Sequence, residues 1–453
     1  MSQKDTEQLL LQAFQEVLRI ADPKHSLPIA LKDTFPNPIK GNCLVVGGGK
    51  ASAAMADAFE KYTIEHWPEA NVYGHIVTRY DHDVTEPIKD RKIKVSQAGH
   101  PMPDISGMNA SQHMMQLLDD LQPGDRCIAL ISGGGSSLLA YPPEGVSLQS
   151  LTQLSKELLR SGAPIEEMNV IRKHVSNIQG GRLAQLAMQK GVFLDAFIIS
   201  DVTGDQPSDI ASGPCSPDPS TFVDAMAIFK KFHLDENPLL LEIKEHLHKG
   251  VMGKIPDTLK TIEMDPNLVR NHVFATAQKG LQAASDFCLS QGFEVISLGD
   301  QITGEARDFA LKHTQLIEEK LQISSSKKIA WISGGETTVT IPQGIKGRGG
   351  RCSEFLLALL QATQNIGGIS ALAADTDGID GTENNAGAFF SPSLRQKSWD
   401  ENLSIDEHLK SHDAYGFFNA IGGLVITGPT LTNVNDFRIV LIDRNNENNV
   451  HTS

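Results

Sequence analysis

Residues 43–62 read CLVVGGGKASAAMADAFEKY. Cys43-Leu44-Val45-Val46 is a short apolar run of the kind that fills a strand buried on both faces. Gly47-Gly48-Gly49-Lys50 interrupts it, and a small-residue helix follows. The same order recurs along the chain. Cys127–Ile131 leads into Ser132-Gly133-Gly134-Gly135-Ser136-Ser137, and the runs at 192–194 and 196–199 lead into SDVTGD from Ser200. Ile329–Ile332 leads into SGGETT from Ser333, and 369–374 leads into DTDGIDGTENN from Asp375. Strands alternating with helices predict an α/β fold around a mostly parallel sheet covered on both faces. Such sheets bind ligands beyond the carboxyl ends of their strands, so function is read from these loops.

Two of the loops, IALISGGGSSLLA from Ile128 and IAWISGGETTVTI from Ile329, look alike but lie too far apart for a solenoid repeat. They are expected to be equivalent loops in two α/β lobes. The stretch from Leu234 to Asn271 is the poorest in strand signal, which puts the boundary at 1–240 and 241–453. At the start, Leu10, Phe14, Val17, Leu18 and Ala21 share one helical face, and Asp22-Pro23 is expected to stop that helix.

The 453 residues are 40% hydrophobic and 21% charged, with a formal net charge of -15. That charge argues against a nucleic-acid or anionic-membrane surface, and no apolar run approaches the roughly 18 residues that span a bilayer. Five scattered cysteines with no C-x-x-C pair read as reduced thiols. The expected setting is cytoplasmic, the expected state monomer or homodimer, and the expected ligands small molecules.

In so acidic a chain, an anionic substrate needs local cations. Gly48, Gly49 and Lys50 suit an anion held at a strand-to-helix turn, and equally a plain tight turn. The spacing is not a P-loop, and Ser52 stands where a dinucleotide fingerprint wants its third glycine. Ser132, Gly133, Gly134, Gly135, Ser136 and Ser137 are a stronger candidate for an anion cradle, with consecutive N–H groups and three hydroxyls, or else a flexible turn. Glu336 puts a carboxylate among glycines, where it would orient a lysine, bind a hydroxyl, hold a metal or cap a helix. NVIRKHVSNIQGGRLA, from Asn169, has a helical pattern with Asn169, Arg172, Lys173, Ser176 and Asn177 on a polar face. Asp201, at a strand end, suits a general base or a Mg²⁺ ligand. Asp375, Asp377 and Asp380 break the EF-hand order and fit Mg²⁺ better than Ca²⁺, or a simple turn. KGRGGR gathers cations before a helix, with Arg351 at its start.

Together VVGGGKAS, AGHPMPD, ISGGGSSLL, IRKHVSNIQGGRLA, SDVTGD, ASGPCSPDPSTF, ISGGETTVT, GRGGR, AADTDGIDG and GPTLTNVND resemble the class II glycerate kinase (glycerate 2-kinase) family, which also carries the label hydroxypyruvate reductase. The matches run in order over almost the whole chain. The resemblance implies two three-layer α/β domains facing across a cleft, the first Rossmann-like with a mostly parallel sheet, the second with a mixed sheet. It implies ATP- and Mg²⁺-dependent phosphorylation of D-glycerate, usually at the 2-hydroxyl. By motif, Lys50 and Arg351 look like phosphate-handling cations, and Asp201 and Glu336 like cleft carboxylates. Gly334, Gly335, Gly349 and Gly350 fall in loops for nucleotide or substrate. The family commonly follows GGR with Asn-Gln-Glu, whereas Cys352-Ser353-Glu354 stand here.

The rival activity, an NAD(P)-dependent hydroxypyruvate reductase, predicts an acidic ribose partner about 20 residues beyond the first loop. The strand there, NVYGHIV, ends in Thr78-Arg79. A non-enzymatic metabolite sensor would not need the acidic and cationic loops.

Overall fold

The computed structural model describes residues 3–82 and 90–444. The chain forms two compact units: Pro23–Ala275 is one, and the described residues up to Asp22 join those from Thr276 onward in the other.

The Pro23–Ala275 unit is built on six parallel strands: β1 (Gly41–Gly48), β2 (Ala70–Arg79), β3 (Ile93–Ala98), β4 (Arg126–Ile131), β5 (Phe193–Ile199) and β6 (Val269–Ala275). Their order is β3-β2-β1-β4-β5-β6, so the sheet is Rossmann-like and its direction of winding reverses between β1 and β4. The predicted apolar runs are buried because both faces are covered. Leu44, Val46, Cys127, Ala129 and Ile131 pack on one side with Met114, Leu118, Leu183 and Ala187 from helices.

The other unit carries β7 (Glu294–Ser297), β8 (Ile302–Glu305), β9 (Lys328–Thr338), β10 (Ile369–Asp375), β11 (Gly387–Phe390), β12 (Leu424–Val425) and β13 (Asp436–Asp443). Their order is β12-β11-β10-β13-β9-β7, with β8 also on β9. The sheet is mixed: β7 and β8 run parallel to β9, and the remaining pairs are antiparallel.

Three expectations are corrected. The boundary does not fall at 240/241 but after Ala275, because β6 completes the parallel sheet, in register from Leu194 opposite Val269 to Ile198 opposite Val273 and then, past an irregularity, with Ile199 opposite Ala275. Arg270, Asn271 and His272 hid that strand. Their polarity is matched inside the unit: Arg270 Nε and His272 Nε2 lie 2.8 and 2.9 Å from Asp195 Oδ1, and Asn271 Nδ2 donates to Cys215 O at 2.9 Å. The first helix, Gln3–Ala21, belongs to the other unit: Phe14 stacks on Phe437 at 6.0 Å, and Ala21 O accepts from Thr432 Oγ1 at 2.7 Å. Second, SGGETT is no turn. β9 runs through Thr338, and β8 lies so close that a Cβ on Gly335 (φ 108°) would meet Ile302 O at 2.2 Å. Third, NVIRKHVSNIQGGRLA is not one helix. A helix Ile165–His174 ends, Gly180 and Gly181 turn through φ of 62° and 77°, and a second helix spans Arg182–Gln189. Its polar face turns inward, with Asn169, Lys173 and Ser176 all buried.

Candidate functional site

In the Pro23–Ala275 unit, the loops after β1, β4 and β5 meet at the winding reversal. The turn Gly47–Lys50 leaves little room for side chains: Gly49 has φ 149°, and a Cβ there would sit 2.1 Å from Ser132 Oγ. Its amides, expected to face an anion, are all occupied within the protein. Gly49 N donates to Val77 O (3.1 Å), Lys50 N to Gly133 O (2.8 Å), Ala51 N to Ser132 Oγ (3.0 Å) and Ser52 N to Gly49 O (3.2 Å). The loop therefore offers the Lys50 side chain, not a backbone cradle.

The loop after β4 behaves differently. The amides of Ser132, Gly135 and Ser137 bond to Gly48 O, Ser132 O and Gly134 O, whereas those of Gly133, Gly134 and Ser136 meet no acceptor among the described residues. Three amides available in four residues make an anion-binding concavity. Asp201, just past β5, packs on this loop so closely that a Cβ on Gly133 would lie 1.7 Å from its Oδ2. Lys50 Cγ lies 3.2 Å from where a Cβ of Gly134 would be. A small pocket next to the loop is lined by Ser136, Ser137, Tyr141, Arg172, Ser176 and Gln179. Arg172 donates to Asn169 Oδ1 at 3.3 Å and has no carboxylate partner among the described residues. Burial lowers its pKa from the ordinary guanidinium value. A desolvated guanidinium beside hydroxyls is a site for a small carboxylate or phosphoryl group.

In the other unit, Arg351 opens the helix Arg351–Ala362, and its nitrogens are all engaged by carboxylates: Nε with Asp436 Oδ1, Nη1 with Glu336 Oε1 and Nη2 with Asp375 Oδ2, each at 2.8 Å. Burial alone would lower its pKa, but Asp436, Asp375 and Glu336 hold it above the ordinary value. Fully buried Arg438 shares Asp436 through Oδ2 at 2.5 Å. Burial and the nearby Asp377 and Asp436 push Asp375 well above the carboxylate range, with Arg351 opposing.

The predicted metal set does not converge. Among the described residues no three acidic, histidine or cysteine side chains form a metal cage. Asp380 caps the Arg351–Ala362 helix, accepting from Cys352 N (3.0 Å), Ser353 N (2.8 Å) and Ser353 Oγ (2.5 Å). Asp375 is taken by Arg351 and by Asp377 N at 3.0 Å, and Asp377 Oδ1 accepts from Ile379 N at 2.9 Å. These carboxylates hold the local backbone and a guanidinium, and as a set they do not fit Mg²⁺.

Residues 9–248 match a family described as a domain of unknown function, DUF4147, and residues 329–436 match the MOFRL family. A protein of Agrobacterium vitis named "Putative hydroxypyruvate reductase" is 40% identical, over 96% of this chain and 94% of its own. "Glycerate 2-kinase" of Pyrococcus horikoshii is 34% identical, over 97% of this chain and 98% of its own. The crystal structure of a glycerate kinase from Thermotoga maritima superposes with a TM-score of 0.84 at 31% identity, covering 97% of this chain and 100% of that one. The chain belongs to the glycerate 2-kinase family.

Apart from Gly49 and the acidic trio described above, the sequence-predicted residues of this member of the glycerate 2-kinase family fall into three groups. Lys50, Gly133, Gly134, Ser136, Ser137, Arg172 and Asp201 come together in the first unit. Glu336 and Arg351 meet in the other, with Asp436, which closes the GPTLTNVND stretch of the family resemblance. Gly48, Ser132, Gly135, Gly334, Gly335, Gly349 and Gly350 serve the framework: Ser132 Oγ ties two loops together, Gly334 O accepts from Arg438 Nη1 at 3.2 Å, and a Cβ on Gly350 would lie 2.2 Å from Asp380 Oδ1. Sequence reasoning gave no role to the Ala211-Ser212 segment. Both residues are held at left-handed φ of 52° and 57°, and Ser212 Oγ reaches Ser136 Oγ at 2.9 Å and Asn169 Oδ1 at 3.2 Å. Strain of this kind persists where the surroundings fix it, and here it orders the pocket wall. ASGPC had given the only signal, as part of the family resemblance.

Proposed function

We propose that this chain transfers the γ-phosphoryl group of ATP to the 2-hydroxyl of D-glycerate, giving 2-phosphoglycerate and ADP. The observation that carries this reading is the set of unoccupied amides of Gly133, Gly134 and Ser136, placed with Lys50 and with the Asp201 carboxylate at the winding reversal of a parallel sheet. Phosphoryl transfer asks a protein chiefly for positioning and for charge on the transferring group. In this arrangement Lys50 and the three amides carry negative charge on an oxyanion. Asp201 accepts the proton of the attacking hydroxyl, and Arg172 with Ser137 holds the glycerate carboxylate. Among the described residues the acidic trio does not fit Mg²⁺ as a cage, and none of these residue roles runs through the metal. Within its own unit Arg351 takes an anion only by exchanging one of its carboxylates, of which Glu336, 53% exposed, is the most open to water.

The reductase name found among the relatives has less support in the geometry. A dinucleotide pyrophosphate is held by amides of the loop after the first strand, and here those amides are bonded internally. β2 ends in Thr78-Arg79 rather than in an acid. The buried, unpaired thiols suit a cytoplasmic enzyme acting on small molecules as a monomer or homodimer. No helix of the described residues is long and apolar enough to cross a membrane.

The test is a ³¹P NMR assay with D-glycerate, ATP and Mg²⁺, run beside an NADH-oxidation assay with hydroxypyruvate. A 2-phosphoglycerate resonance without NADH loss is the expected result. A 3-phosphoglycerate resonance moves the reaction to the other hydroxyl, and NADH loss alone overturns the kinase reading.

A further inference from the structure

The segment Gly99–Asp104, GHPMPD, lies against the amide cradle and has no role in the site so far. A Cβ on Gly134 would be 3.0 Å from both Cδ2 and Nε2 of His100, so the imidazole edge and the Lys50 stem flank one glycine. Asp104 holds the backbone next to His100. Its Oδ2 accepts from Gly99 N at 2.8 Å and from Tyr80 Oη at 2.9 Å, and its Oδ1 accepts from Gly107 N at 3.0 Å, capping the helix Ile105–Asp119. The imidazole makes no hydrogen bond to any described residue. An unbonded imidazole on an anchored segment, beside available amides, is arranged for a ligand.

The charges around it decide its form. Lys50, Arg79, His82 and Arg172 face His100 from the β1 loop, the β2 end and the Ile165–His174 helix, while Asp104 lies on its own segment and Asp201 against the neighbouring Gly133. Burial first, and then repulsion from those four groups, lowers its pKa to about 4. At neutral pH it is an uncharged N–H donor in a crowded cationic site.

We infer that His100 contacts substrate, its Nε2–H donating a hydrogen bond to the oxyanion held by the Gly133, Gly134 and Ser136 amides and Lys50. This rests on the reading of that loop as the anion site of the kinase. The shared chemistry is a carboxylate or phosphoryl oxygen, from D-glycerate or from ATP. A neutral donor adds direction to the site without the repulsion of a further positive charge.

Two variants test it. His100→Gln keeps an N–H near the Nε2 position, and His100→Leu keeps bulk without a donor. The Leu variant is expected to lose about 10- to 100-fold in kcat/KM, the range for a hydrogen bond to a charged group, while Gln stays within about five-fold. A loss confined to KM for D-glycerate assigns the carboxylate, and a loss in kcat assigns the phosphoryl group. The pH profile between about 6 and 8 should be the same in wild type and both variants, because a group already neutral there adds no limb. His100→Leu with wild-type kinetics overturns the inference, as does a Gln variant that falls as far as Leu with a lowered Tm. Calorimetric titration of inorganic phosphate and of D-glycerate, each alone, reads the same bond without turnover. Weaker binding of one ligand by the Leu variant supports the inference. Equal binding of both, or no binding by the wild type, overturns it. Wild-type anion binding without any phosphorylated product would instead sink the kinase reading alone.

Discussion

Gly133→Ala isolates the Asp201 carboxylate without touching it chemically. The new methyl would lie 1.7 Å from Asp201 Oδ2 and 2.2 Å from Cγ. Ordinary contact between such atoms is about 3.4 Å, so the carboxylate must withdraw by about 1.7 Å. Gly133 is not among the glycines at positive φ, so alanine fits the backbone and adds its usual small gain in chain stiffness. Displacing a reacting group by about 1 Å costs on the order of 10²-fold, so kcat should fall at least about 100-fold. Lys50 and Arg172 stay in place, so KM for D-glycerate should move by no more than a few-fold. Steady-state kinetics with both substrates varied, together with a thermal melt, measure this. The double variant Gly133→Ala/Asp201→Asn should be no slower than Asp201→Asn alone, because both changes remove one interaction. Wild-type kcat in Gly133→Ala with an unchanged Tm would refute the placement of Asp201 at the reacting hydroxyl.

Arg351→Ala leaves Glu336, Asp375 and Asp436 facing each other with only Arg438 beside them, and should cost about 3 kcal/mol at pH 7 in denaturant unfolding. Asp375, already pushed above the carboxylate range, then rises further because the guanidinium that opposed the shift is gone, so the native state binds more protons and the loss should shrink as pH falls from about 8 to 5. His313 is fully buried, neither ring nitrogen has a partner among the described residues, and burial with Arg438 nearby lowers its pKa to about 3. The unfolded histidine binds a proton near pH 6.5, so wild type loses about 1.4 kcal/mol per pH unit through this group on acidification below that point. His313→Phe should flatten that slope in unfolding curves between about pH 6 and 4. Asp380→Ala should lower Tm by removing a helix cap, about 1 to 2 kcal/mol, while the Mg²⁺ concentration for half-maximal rate stays the same. A shifted Mg²⁺ dependence at unchanged Tm would return Asp380 to the metal.

The sequence revealed those parts of the fold that depend on neighbours along the chain. Strands β1, β4 and β10 carry continuous apolar runs and β5 one broken by Asp195, because both faces are covered, and the glycines at the ends of β1 and β4 mark real strand-to-helix turns. β6 escaped because its polar residues are answered by Asp195, about 75 positions away. SGGETT looked like a loop because glycines usually end strands, yet here they let β8 approach. At the site, residue types pointed to Lys50, Asp201 and Arg172, since a cation or acid at a strand end needs only local pattern to be noticed. Which amides remain available, and which carboxylates surround Arg351, depend on partners 15 to 85 residues distant, and no spacing rule reaches that far.

The Gln3–Ala21 helix packs with residues that follow Thr276. The Pro23–Ala275 unit is thus an insertion within the other, and can fold while the opening helix still waits for Phe437 and Thr432, more than 400 residues downstream. An affinity tag or truncation at the amino terminus would therefore disturb the carboxyl-terminal unit. A break in the chain near Asp22 would leave the Pro23–Ala275 unit tied only through Thr276, and the opening helix held to its own unit by packing alone.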